Sequence, residues 1–391
     1  MQYETMQYDT CAPAEKREKS PGNHVGVPRA MSFAETIATG LRLAGSARGF
    51  VRPLAAALLA VAAAGALTPL PAAAEAKPSA VVVMYHRFGE SRHPSTNISL
   101  QQFEAHINEL RSGKYRVLGL PEIVDAVRRG KPLPDRAVAL SVDDAFLSLY
   151  REGWPRLKKA GLPFTLFIVT GALDRGSSDY MSWDQIKELA AAGVTIGSQT
   201  ESHPHMPAES RERNLAELDR SNRRIEEMLG KRPDLIAYPY GESSLEVQEV
   251  AKQSGFIAGF GQHSGVIGGD GNLFDLPRFA MNEDYGDMGR FRLAVNALPL
   301  PVADVTPADP LVGATNPPAM GFSVAGEVKG LGRLSCFLSH EGRARLERLG
   351  ERRFEVRVSK PFPKGRTRLN CTMPAEDGRW RWFGRQFYIP E

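Results

Sequence analysis

Ala137-Val138-Ala139-Leu140-Ser141-Val142-Asp143-Asp144 is the stretch that decides how this chain folds. A short apolar run that closes abruptly on two carboxylates reads as a strand covered on both faces. Working outward, similar runs stand at 81–85, 164–169, 194–197, 235–238 and 256–259, with 138–142 the most apolar of the set. Amphipathic helical patterns fall between and around them at 100–111, 121–128, 146–159, 183–192, 209–229 and 244–254. Ser182 ahead of Trp183, with Gln185 three places on, has the form of a capping box, and Gly193 marks the stop. This alternation implies a parallel sheet or barrel in an α/β fold, whose working residues gather at the C-terminal ends of the strands.

Residues at those ends are unusual. Asp143 and Asp144 are adjacent acids, and like charges so close raise one another's pKa unless a cation or hydrogen bonds compensate. A metal or acid–base site explains them, and so does a helix N-cap with a spare exposed acid. After the run at 194–197 comes Ser198-Gln199-Thr200-Glu201-Ser202-His203-Pro204-His205, in which His203 is the best imidazole ligand. Ala237-Tyr238-Pro239-Tyr240-Gly241 closes another strand as a plain turn or as an oxyanion donor through the backbone N–H near Tyr240. His86, after the first strand, is a ligand, a proton donor or a structural residue.

The order of these motifs from about Ala80 to Met281 resembles the NodB-type polysaccharide deacetylases, the family 4 carbohydrate esterases. The resemblance rests on Val83-Met84-Tyr85-His86, Ser141-Val142-Asp143-Asp144, Ser182-Trp183-Asp184-Gln185-Ile186, the stretch from Gly197 to Pro204, Ala237 to Gly241, and Leu276-Pro277-Arg278. It implies a distorted (β/α) barrel and a metal-dependent hydrolase that removes N-acetyl groups from a GlcNAc-containing polysaccharide or oligosaccharide. By resemblance Asp143 is the general base and Asp144 a metal ligand. His203 matches the second histidine of a His-x-x-x-His metal motif, and the Tyr240 backbone is the oxyanion donor. The implied cofactor is a divalent ion, zinc first and cobalt or nickel after it.

Three departures follow. Gln199 stands where the family's first metal histidine belongs, and an amide oxygen is a weaker ligand for zinc-like ions than imidazole; His205 is the alternative donor, at the wrong spacing. The arginine that orients the base in many relatives is absent before the Pro-Tyr pair, and Arg278 is the candidate replacement. The late Leu-x-His segment that supplies the general acid is missing, and His86 is the candidate for that role. These departures leave a second reading, a catalytically weak deacetylase-like protein that binds glycans.

The flanking sequence bounds the rest. The chain has 391 residues, 42% of them apolar and 24% charged, with a net charge of +4 spread along it, which excludes a nucleic-acid footprint. Arg48 and Arg52 precede an uncharged run at 54–67, followed by Ala-rich cleavage patterns to Ala76. This is the layout of a signal peptide, too short for the roughly 20 residues of a membrane span, so export to the periplasm or medium is expected, with no stable span after cleavage. Met31 is a second candidate start. The expected segments are a leader and signal peptide at 1–76, the deacetylase domain at 77–298, a proline-rich linker at 299–320, and a small all-β, sandwich-like domain at 321–391. Cys336 and Cys371, the two cysteines beyond the signal region, are expected to bridge. Trp380, Trp382 and Tyr388 are either that domain's core or a glycan-binding face.

Overall fold

The computed structural model describes residues 78–269 and 271–390, so the expected signal peptide lies outside the described residues. Six parallel strands form its first half: β1 (Ser79–Tyr85), β2 (Ala137–Asp143), β3 (Thr165–Ile168), β4 (Thr195–Ser198), β5 (Leu235–Ala237) and β6 (Ala258–Phe260). Two short strands follow, β7 (Ile267–Gly268) antiparallel to β1 and β8 (Phe279–Ala280) parallel to it. The sheet order is β7-β1-β2-β3-β4-β5-β6, with β8 beside β1 and the short strand Arg116–Val117 beside β2. Leu276 bridges to Phe260 in β6 while β8, three residues later, pairs with β1, so one segment touches both edges of a curled half-barrel sheet.

The period of two along β2 decides what that half-barrel holds. All seven of its residues are buried. Val138, Leu140 and Val142 pack with Val81, Val83 and Tyr85 against the outer helices. Ala137 and Ala139 share the other face with Val82, Phe167, Ala237 and Phe260. Successive side chains of a strand alternate between faces, so Ser141 and Asp143 extend this second, small-residue face, leaving room there for a large polar group.

Among the described residues, eight α-helices surround the sheet: α1 (Leu100–Leu110), α2 (Leu120–Arg128), α3 (Trp154–Ala160), α4 (Thr170–Asp174), α5 (Trp183–Ala191), α6 (Arg211–Leu229), α7 (Leu245–Gln253) and α8 (Met288–Val295). The Ser182–Gln185 capping box is present on α5, and Ser99 with Gln102 makes another on α1. The helix expected from 146 does not start there. Asp144 and Ala145 are both left-handed (φ 72° and 62°), a π-helical turn occupies Leu149–Gly153, and regular helix begins only at Trp154. Pro155 accounts for the late start: it lacks an N–H for the i−4 carbonyl, so the ladder upstream is displaced by one residue.

On α1, His106 is fully buried. Its Nε2–H donates to the Gly286 carbonyl (2.8 Å), Nδ1 accepts from the Tyr85 hydroxyl (3.0 Å), and the ring stacks on Phe291. Burial lowers its pKa to about 4, against the raising effect of the Gly286 carbonyl. A histidine that stays neutral in the fold but protonates in the unfolded chain contributes full stability above its unfolded pKa of about 6.5, and loses it as pH falls toward 4. His106 is therefore expected to make unfolding easier by about 3 kcal/mol between pH 6.5 and 4. Urea titrations of wild type and His106→Gln across that range check this: the wild-type curve should fall more steeply, and parallel curves would refute it.

The second half is all β. Strands β9 (Leu298–Pro299), β10 (Val302–Thr306), β11 (Met320–Val324), β12 (Ser335–Leu338), β13 (Gly342–Arg343), β14 (Arg345–Leu349), β15 (Arg353–Arg357), β16 (Gly365–Pro374) and β17 (Trp380–Ile389) form two sheets, β9-β17-β16-β12-β13 and β10-β11-β15-β14. Their apolar faces meet around Phe322, Phe354, Phe387 and the Cys336–Cys371 disulfide, which joins directly opposed residues of β12 and β16. A bridge closing 35 residues of separation stabilises by about 4 kcal/mol in the chain-entropy model. The expected linker at 299–320 is partly strand. β10 lies at a sheet edge, where a strand tolerates neighbouring prolines because it owes few ladder bonds. Trp382 is buried in the half-barrel core and Tyr388 beside His205, so neither belongs to the β-domain's own apolar core, and Trp380 is half-buried.

Candidate functional site

Asp143 ends β2 on the small-residue face and is wholly buried. The Arg278 guanidinium, also wholly buried, meets it in two parallel hydrogen bonds, Nη1 to Oδ1 at 2.7 Å and Nη2 to Oδ2 at 2.8 Å. Arg278 is held in turn by the Gly261 carbonyl (2.9 Å) and the Ser141 hydroxyl (3.2 Å), with Phe167 beneath it. Sequence reasoning placed Arg278 with the base, but gave no sign that Ser141 anchors it. Such a fork leaves the carboxylate a single orientation.

Asp144 follows in a left-handed conformation that turns its side chain out of the sheet. Burial raises its pKa to about 6, opposed by the electrostatic effect of His86, while the neighbouring Asp143 adds to the rise. Its Oδ1 is buried without a hydrogen-bond partner and lies 3.7 Å from His203 Nε2. Burial keeps His203 neutral by lowering its pKa to about 4. An orphaned carboxylate oxygen facing a neutral imidazole nitrogen is a donor pair for a cation.

Gln199 sits beside both and is wholly buried. Its Oε1 accepts the Asp144 backbone N–H (3.1 Å), which orients the amide and turns Nε2 toward His203 Nε2 (3.3 Å). The amide thus presents a donor where a third ligand needs a lone pair. Among the described residues no group of three His, Cys, Asp or Glu is placed to hold a metal. His205 does not make good the deficit. Its Nδ1 pairs with Glu242 (2.7 Å) and its ring stacks on Tyr240. The donor set fits a cation at Asp144 and His203, and Gln199, as oriented, is not the third ligand.

His86 stands on the same rim, buried, with Nε2 4.0 Å from Asp143 Oδ2. Tyr240 is left-handed (φ 57°), and the next residue must be glycine. Gly241 has φ +70°, and a Cβ there would lie 2.3 Å from the Gln262 backbone nitrogen. Strain marks the whole rim. Of the seven described non-glycine residues with positive φ, Asp144, Ala145, Thr200, His203 and Tyr240 lie in its three loops. Each costs of order 1–3 kcal/mol and persists where the surroundings over-determine it.

Residues 130–259 match the family model described as polysaccharide deacetylase. That stretch is similar to a polysaccharide deacetylase domain. The poly-β-1,6-N-acetyl-D-glucosamine N-deacetylase of Staphylococcus aureus strain MSSA476 is 26% identical over 235 residues, covering 53% of this chain and 80% of that protein. Among solved structures, the IcaB structure from Ammonifex degensii aligns with a TM-score of 0.50 at 27% identity, over 57% of this chain and 98% of that one. The Streptococcus pyogenes deacetylase PplD, solved with acetate, shares the fold at a TM-score of 0.53 and 20% identity, over 56% of this chain and 99% of that one. The matched stretch and the fold support a deacetylase hydrolase, and deacetylases of this kind are in general metal-dependent.

Glu242, Gln386 and Arg366 also reach this rim, and sequence reasoning missed all three. Glu242 directly follows the Tyr-Pro-Tyr-Gly turn, a position that could have flagged it. Gln386 and Arg366 lie in β17 and β16, with no local signal.

Proposed function

We propose that the deacetylase domain hydrolyses the N-acetyl groups of a GlcNAc polymer, with a poly-β-1,6-linked exopolysaccharide as the first candidate and chitooligosaccharide or peptidoglycan after it. The observation that carries this is the buried Asp143–Arg278 fork beside the Asp144–His203 donor pair. The Staphylococcus aureus relative is named for the β-1,6 polymer, which orders the candidates. The expected signal peptide supports an exported enzyme acting outside the cytoplasm.

Amide hydrolysis needs a nucleophilic water, a place for the negative charge on the carbonyl oxygen, and a proton for the departing amine. Asp143, oriented by Arg278, takes the proton of a water placed against its free lone pairs. The Tyr240 turn receives the developing oxyanion at its backbone N–H. His86, on the rim beside Asp143, returns a proton to the amine. Asp144 and His203 would hold a divalent ion, zinc or else cobalt or nickel, which polarises the acetyl carbonyl and acidifies water when bound. A groove of about 650 Å³ runs from His205 between Ser202–Arg213 and the C-terminal residues Tyr388 and Pro390, and the polymer is assigned to it.

The orientation of Gln199 supports the second reading, a weakly active relative that binds glycan. Acetate release from poly-β-1,6-GlcNAc oligomers and chitooligosaccharides, measured metal-free and with zinc, cobalt or nickel, separates the two. Metal-stimulated release, highest on the β-1,6 polymer, is expected. No release with any metal, alongside retained binding of the oligomers, would establish the binder.

A further inference from the structure

We infer that the C-terminal β-domain is part of the catalytic rim, with Gln386 of β17 acting as a positioning residue for the Tyr240 turn. Gln386 is buried and its Nε2 donates to the Tyr240 carbonyl at 3.0 Å. The direction of this amide is not arbitrary. Arg368, paired with Gln386 across β16 and β17, donates its Nε to Gln386 Oε1 at 3.0 Å, so the nitrogen must face the turn.

A second contact comes from the same domain. Arg366 Nε lies 3.7 Å from Oε1 of Glu242, the buried carboxylate whose Oε2 holds His205. Its guanidinium stands 5.5 Å from the centre of the Tyr240 ring. That ring is wedged between the edge of His203 and the face of His205, at 4.4 and 4.3 Å. The Tyr240 backbone is in a left-handed conformation that a tyrosine does not hold unaided. Within the half-barrel it is secured by the Gly241 N–H to the Tyr238 carbonyl (2.8 Å). The carbonyl of Tyr240 itself is secured from the β-domain, which thereby helps set the backbone angles that aim the oxyanion donor.

The inference rests on the oxyanion role proposed for Tyr240, and the test separates the two. Hydrogen exchange is followed in full-length wild type, Gln386→Leu, and Arg379→Gln. The last variant cuts the Arg379–Asp135 ion pair, a contact between the two halves remote from the rim. Gln386→Leu is expected to speed exchange at residues 238–242 about tenfold, the scale of one net hydrogen bond. Exchange in β2 and α6 should stay as in wild type, and Arg379→Gln should leave 238–242 unchanged. On acetylated oligomers Gln386→Leu is expected to lower kcat about tenfold with KM unchanged. Unchanged exchange at 238–242, or an equal rise in Arg379→Gln, overturns the inference whether or not the wild type turns over. Wild-type inactivity with faster exchange in Gln386→Leu would remove the oxyanion role and leave the positioning contact standing.

Discussion

Asp143→Asn is expected to lower kcat by about 10²–10⁴-fold, the range for loss of a general base, with KM little changed. The substitution has a second consequence, because Arg278 is wholly buried and its charge is answered by this carboxylate. Removing one partner of a buried pair costs about 3–5 kcal/mol, whereas replacing both by groups of similar shape is close to neutral. Arg278→Met should therefore destabilise as much as Asp143→Asn, lowering Tm by about 10 °C at the scale of a domain this size. The apolar double variant Asp143→Leu/Arg278→Met should recover most of that stability and none of the turnover. Thermal melts read beside steady-state rates make the distinction. A single variant that melts normally yet loses turnover would show that the pair serves chemistry alone. Asp143→Asn with wild-type kcat would remove Asp143 from the reaction.

The half-barrel was legible because its signals are local. Apolar runs bounded by turns gave the six parallel strands to within two residues, and the capping box of α5 fell where Ser182 and Gln185 put it. The rim was legible for the same reason, since Asp143, Asp144, Gln199, His203 and Tyr240 all lie at, or within five residues after, the C-terminal end of a strand. What failed was non-local or conformational. The helix expected from 146 was delayed by Pro155 and by two left-handed residues that periodicity cannot register. The proline-rich stretch at 299–320 hid β10, because prolines argue against regular structure unless the strand is at an edge. Gln386 and Arg366 reach the rim across more than a hundred residues of chain, and nothing in their neighbourhoods distinguishes them from the other polar residues of a sandwich strand.

Gln199→His is expected to raise the affinity for zinc by about 100-fold or more, because it replaces a misdirected donor with a third lone pair. In the wild type the amide is committed on both sides. Its oxygen takes the Asp144 N–H, and its nitrogen faces the His203 nitrogen that a metal would need. A cation entering between Asp144 Oδ1 and His203 must break the second contact and gains no ligand from Gln199 in return. Imidazole at 199 removes that competition, and the orphaned Oδ1 remains as the charged donor. Metal content after dialysis, and competition with a chromophoric chelator, read the affinity independently of catalysis. Wild type is expected to come through dialysis with well under one equivalent of zinc, and the variant with close to one. If turnover rises with metal content, the wild-type domain is a deacetylase limited by its metal site. If the wild type already retains a full equivalent and the variant binds no more tightly, then Gln199 must reverse its amide to ligate through oxygen. The Asp144 backbone contact would then have to be absent in the metal-bound form.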